Sequence, residues 1–347
     1  MFNSKKTRML KGLSSIPFFL ITLSGCQDFS QVGALGKRSE FVQKTSLQLG
    51  NNYYESCENR AKLPDSSSLE ELENDLYFFP AITITRQKEI KDCKEKIIPI
   101  SQKIIELNNV LAIYLQKLAT LADKKTGEIK DSDANELNSK ANNLLDEFSR
   151  FNSNPELSVD IRNSIPQAIT ILDFMLNVVS NKTKKDAIVP TMICTDDEIR
   201  TYIERLEKIA NSVYINYLDN ERTELNTYYT RHQPITNSNG LVPQDALSLI
   251  ELDKQYNENI DDLENRKKIG LNFALFLEET RKTHSEISQE FANNFDYGSA
   301  GTKEKFCQNY EAQAANIDIS FELDRVQVRK ITMILKKYQA NTEHLIE

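Results

Sequence analysis

Apolar residues recur along most of this chain at three- and four-residue steps, and one run does so without a break. Ile90, Cys93, Ile97, Ile100, Ile104, Leu107, Leu111, Tyr114, Leu118 and Leu121 form the a/d seam of a coiled coil or long bundle helix. Pro99 lies inside that seam and removes one backbone hydrogen bond, so a kinked helix over 87–122 is expected. Ahead of it, a helix is expected from Ser39 to Ala61. A short one should follow Ser67, capped with Glu70 and stopped by Pro80. The run Ala81-Ile82-Thr83-Ile84-Thr85 alternates like a strand but has no partner run, so an extended connector is expected there.

Beyond the seam, Leu137, Ala141, Leu144, Phe148 and Phe151 repeat the pattern. Ser153-Asn154-Pro155-Glu156 then opens a helix with Ile161, Ile165, Ala168, Leu172, Met175 and Val179 on one face. These two can fold back along the 87–122 helix. A connector over Lys182–Ile193, with Pro190, should lead to a helix capped by Thr195 and Glu198. That helix carries Asp196 and Asp197 in its first turn and Ile199, Ile203, Leu206, Ala210, Val213 and Tyr217 on its seam. Two more long helices are expected, Gln244–Phe295 and Thr302–His344, separated by a turn at Gly298–Gly301. The pattern predicts an all-α fold, an elongated antiparallel bundle with an N-terminal helical subdomain (39–190) and a C-terminal three-helix bundle (191–347). Only five glycines follow position 50 and there is no Trp, which suits long helices better than turn-rich sheets.

The N-terminus has a different pattern. Lys5, Lys6, Arg8 and Lys11 precede an apolar run from Leu13 to Leu23 too short to span a bilayer, followed by Leu23-Ser24-Gly25-Cys26. This segment resembles the lipobox signal peptide of bacterial lipoproteins. The resemblance implies cleavage of residues 1–25 and lipidation of Cys26, with two or three acyl chains holding the protein to a membrane. Gln27, where an inner-membrane retention signal would be Asp, implies the outer membrane. Residues 26–38, with Gly33 and Gly36, are expected to be a flexible tether. Loss of four basic side chains with the signal peptide takes the formal net charge from −8 to −12. Such a surface argues against nucleic acid and leaves the lipid as the main membrane contact.

Four cysteines remain, Cys57, Cys93, Cys194 and Cys307, an even number in a chain read as exported, so two disulfides are expected. Three connectivities are open. Helix order favours Cys57 with Cys93 and Cys194 with Cys307, the second provided that the middle C-terminal helix bends near Gly270.

Candidate chemistry is sparse. His232, His284 and His344 have no second metal-type ligand at helical spacing. His284 falls on the seam between Leu277 and Ile287, where a hydrogen-bonded core histidine is expected. Asp131, Asp133 and Asn135 have calcium-loop spacing, but Glu136 and Asn142 stand where the turn glycine and bidentate glutamate belong. No nucleophile elbow or phosphate cradle is present, so no metal, cofactor or enzymatic activity is expected. Tyr53, Tyr54, Tyr214, Tyr217, Tyr228, Tyr229 and Tyr256 either cap the core or line a groove. The favoured reading is a lipid-anchored scaffold or interaction module engaging protein partners of the cell envelope. The alternative is a binding protein holding an apolar or aromatic ligand between helices.

Overall fold

The computed structural model describes residues 32–63, 78–122, 158–180, 187–231, 243–313 and 324–346, with isolated positions between 135 and 143. The signal peptide, Cys26, the helices expected from Ser67 and from Leu137, Asp131, Asp133 and His232 lie outside them. Among the described residues every regular element is helical. In order these are α1 (Gly33–Gly36), α2 (Ser39–Lys62), α3 (Phe78–Ala122), α4 (Val159–Ser180), α5 (Ile188–Lys208), a π-helical segment (Ile209–Tyr214) and α6 (Ile215–Arg231). The long α7 (Pro243–Ala292), a 3-10 turn (Gly298–Ala300), α8 (Lys303–Gln313) and α9 (Arg325–Ile346) follow. None of them is long and apolar enough to cross a membrane.

The seam of α3 explains its place at the centre. From Cys93 to Leu121 all nine of its seam residues are buried, and the helix runs on through Pro99. It also begins earlier than expected, for 81–85 is helical rather than extended. Pro80 is the third residue of that helix, where a backbone N–H has no intrahelical partner to lose. Pro190 holds the same position in α5, so the connector expected over Lys182–Ile193 is helical from Ile188, and Ile188 to Ile193 are buried. Thr195 therefore caps nothing. It lies inside α5 and its hydroxyl donates to the Thr191 carbonyl at 2.7 Å.

Other boundaries also move. The cap of α4 is Ser158, whose Oγ accepts from the Ile161 N–H at 3.3 Å, while the Ser153-Asn154-Pro155-Glu156 opening lies outside the described residues. The expected last helix is represented by α8 and α9. Asp324 and Gln327 form a reciprocal capping box at the start of α9: Asp324 Oδ1 accepts from the N–H groups of Val326 and Gln327, and Gln327 Oε1 accepts from that of Asp324. Of the tether expected over 26–38, the part from Val32 on is packed into the body, with Val32 and Leu35 buried. At Gly36 a Cβ would lie 2.2 Å from Ala119 Cβ, so only glycine lets α1 approach α3 this closely.

The structure joins Cys57 to Cys93 and Cys194 to Cys307, the favoured connectivity. No bend in α7 is needed, since it continues through Gly270 for 50 residues. Its antiparallel neighbour runs from Ile188 to Arg231 and is nearly as long. Helix directions follow from the contacts. α2 runs antiparallel to α3, with Cys57 on Cys93 and Gly50 beside Ser101. It also runs antiparallel to α7, with Phe41 against Phe273 and Phe276 and, farther along α2, Asn52 on the Tyr214 hydroxyl that bonds Arg266. Thus α3 and α7 are parallel. Buried residues from both expected subdomains form one contiguous core, so position 190 does not divide two cores.

Candidate functional site

The π-helical segment shapes the surface around it. One extra residue per turn shifts the apolar phase, so after Ala210 the buried positions are Tyr214, Leu218, Glu221, Leu225 and Tyr229 rather than Val213 and Tyr217. Tyr214 turns inward against Gly270 of α7, where a Cβ would lie 2.6 Å from two ring carbons. Its hydroxyl accepts from Asn52 Nδ2 and donates to the Arg266 carbonyl, both at 3.0 Å. Beside it, Arg266 donates to both carboxylate oxygens of buried Glu221 at 2.7 and 2.9 Å and to Asp262 at 2.8 Å.

With Tyr214 turned in, Asn211 and Ser212 face outward and a groove of about 680 Å³ opens between this segment and α7. Its floor is Leu271, Ala274 and Leu275. The two leucines are 43% and 50% exposed, although most leucines of this chain's long helices point into the core. Its rim is charged and internally paired: Lys208 with Glu204 at 3.0 Å, Arg281 with Glu207 at 2.7 Å, and Glu278 with Lys282 at 2.7 Å. The hydrogen bond from Lys208 holds the Glu204 carboxyl below its ordinary range. Burial pushes Glu207 up despite the opposing pull of Arg281.

A second cluster is buried where α3, α5 and α7 meet. His284 Nδ1 lies 3.0 Å from Asp196 Oδ1, and its Nε2 lies 2.7 Å from the Tyr114 hydroxyl, which is 2.8 Å from Thr195 Oγ1. His284 is 1% exposed and Tyr114 0%, so the cluster is interior and ties three helices together. Burial raises the Asp196 pKa, but the hydrogen bond from His284 and the charges of Lys303 and Arg200 outweigh it and hold the carboxyl below its ordinary range. Desolvation keeps the Tyr114 hydroxyl protonated far above its ordinary pKa.

His284 is thus a hydrogen-bonded core histidine, with Asp196 as a partner that no local motif announces. His344 is exposed near the end of α9. None of the tyrosines singled out in the sequence lines the groove, and several pack on one another. Tyr53 stacks on Tyr217 at 4.0 Å, and Tyr229 meets Tyr228 and Tyr256 edge-on. Among the described residues no group of three or more His, Cys, Asp or Glu could hold a metal ion. No family model, curated protein or solved structure matches this chain.

Proposed function

We propose that this chain is a lipid-anchored, non-catalytic protein of the bacterial cell envelope that engages a protein partner through the groove beside the π-helical segment. The observation that carries the reading is the pair of exposed leucines, Leu271 and Leu275, at the floor of a groove between antiparallel helices. Leu271, Leu275 and Glu278 follow each other at i, i+4 and i+7, the register in which a helix receives an apolar stripe of another helix. The paired rim suits a partner with mixed charges, because an incoming basic or acidic side chain can join an existing pair without uncovering a lone charge. The lipobox resemblance supports the location, and the outer membrane is the favoured side of it.

Photo-crosslinking tests this. A photoreactive residue placed at Leu275 in living cells should capture a discrete protein adduct that Leu271→Glu removes. The same residue at Leu47, exposed on α2, should not capture it. Equal adducts at both positions, or none at Leu275, would reject the groove as the docking site.

A further inference from the structure

We propose that α9 is a second membrane contact, docking its outer face on the anionic phospholipid headgroups of the bilayer that the anchor enters. The direction it faces rests on the lipobox reading given above. The face itself does not. Burial divides α9 cleanly: Gln327, Ile331, Leu335, Tyr338, Thr342 and Leu345 point into the bundle. On the opposite side Val326, Lys330, Met333 and Lys337 form one line at i, i+4, i+7 and i+11, with Arg329 and Lys336 beside it, all exposed. From Arg325 to Thr342 there is no Asp or Glu, in a chain that is acidic overall. Two nearby carboxylates offset part of this face, Glu290 at Lys330 and Glu279 near Lys337, and leave Arg329 and Lys336 uncompensated. Asp324 caps the helix, Glu290 pairs with Lys330 at 3.2 Å, and Glu279 binds Asn341 at 2.7 Å. Arg329 and Lys336 make no ion pair among the described residues. Val326 and Met333, 61% and 67% exposed, give this cationic face apolar side chains that can enter a headgroup region.

The fold brings this face to the end from which the anchor leaves. Lys330 lies at the level of Glu290 and Tyr338 at that of Thr280, so α9 runs antiparallel to α7 and starts near its C-terminal end. α3 and α7 are parallel, and the Tyr114–His284 contact places their C-terminal ends together. Gly33 packs on Ala122, the last residue of α3, so the chain enters the body at this same end. Val32 lies six positions after Cys26, a reach of about 20 Å when extended. That reach brings the α9 face to the headgroup layer, where a basic side chain favours an anionic surface about fivefold. Removal of three of them should weaken docking on the order of a hundredfold.

The experiment uses the full lipidated protein with Met333→Cys carrying an environment-sensitive fluorophore, the remaining cysteines being lipidated or in disulfides. It is reconstituted into vesicles of phosphatidylcholine alone or with phosphatidylglycerol. The expected result is a blue-shifted, stronger emission with phosphatidylglycerol, lost in high salt and lost when Arg329→Gln, Lys336→Gln and Lys337→Gln are combined. Identical emission in the two vesicle types overturns the proposal, as does an equal response to soluble polyglutamate, which would assign the face to an acidic protein. Flotation separates this result from the anchor. Protein that floats with phosphatidylcholine but shows no shift loses the docking face and keeps the anchor. Protein that fails to float with phosphatidylcholine yet responds, salt-sensitively, to phosphatidylglycerol keeps the face and loses the anchor.

Discussion

Asp196 carries the sharpest test at the scale of single residues. Its neighbours hold its carboxyl low, so the folded state binds this proton less readily than the unfolded chain does. Its contribution to stability is therefore complete above the unfolded value near pH 4 and is lost as the pH falls through the lower folded value. Asp196→Asn should cost about 1.5–3 kcal/mol at neutral pH, the worth of a hydrogen bond to a charged group. The gap from the parent protein should narrow in denaturation series carried below pH 4. A gap that stays constant into acid would show that the His284 contact does not depend on the charge. The sequence placed His284 on the seam but could not supply Asp196 or Tyr114, which lie 88 and 170 positions away. It also misdirected Asp196 into a first helical turn, because Thr195 and Glu198 have the spacing of a capping box whatever precedes them.

Among the elements, the long seam of α3 was legible because strict three- and four-residue steps over many turns have one physical explanation. What failed was where helices begin and where their phase slips. Pro80 and Pro190 look like helix breakers in one dimension, yet a proline in the first turn costs nothing. The π-helical segment leaves no local signature either: Val213 and Tyr217 continue the steps as well as Tyr214 and Leu218 do, and only packing on Gly270 selects the second set. Gly270→Ala tests that choice. Alanine favours a helix over glycine by about 1 kcal/mol, whereas overpacking costs about 1–3 kcal/mol. The Tyr214 ring cannot give way, being buried and held at its hydroxyl by two bonds, so the loss should win. A net destabilisation of up to about 2 kcal/mol in denaturant is expected; a gain would mean that the ring has room to move.

Over the whole molecule, helix order favoured the observed disulfides, the second only with a bend near Gly270 that proved unnecessary, whereas the undivided core was not legible, because periodicity says which face is apolar and not what meets it. The two bridges have a further consequence, for what a protease can release. Cys57–Cys93 closes a loop of 36 residues and Cys194–Cys307 one of 113, and the loops do not overlap. A single cut inside either loop leaves the chain in one covalent piece, so clipped protein should migrate as intact on a non-reducing gel and separate into fragments only after reduction. A cut between Cys93 and Cys194 has no such safeguard and should yield two pieces without reductant. Limited proteolysis with paired gels reads this directly, and a singly cut chain, nicked within 195–306, that separates into its two halves before reduction would contradict the bridge. Damage within the loops would then be silent, with nicked molecules staying whole and in place, whereas a single cleavage between the bridges sheds one of the two stapled halves.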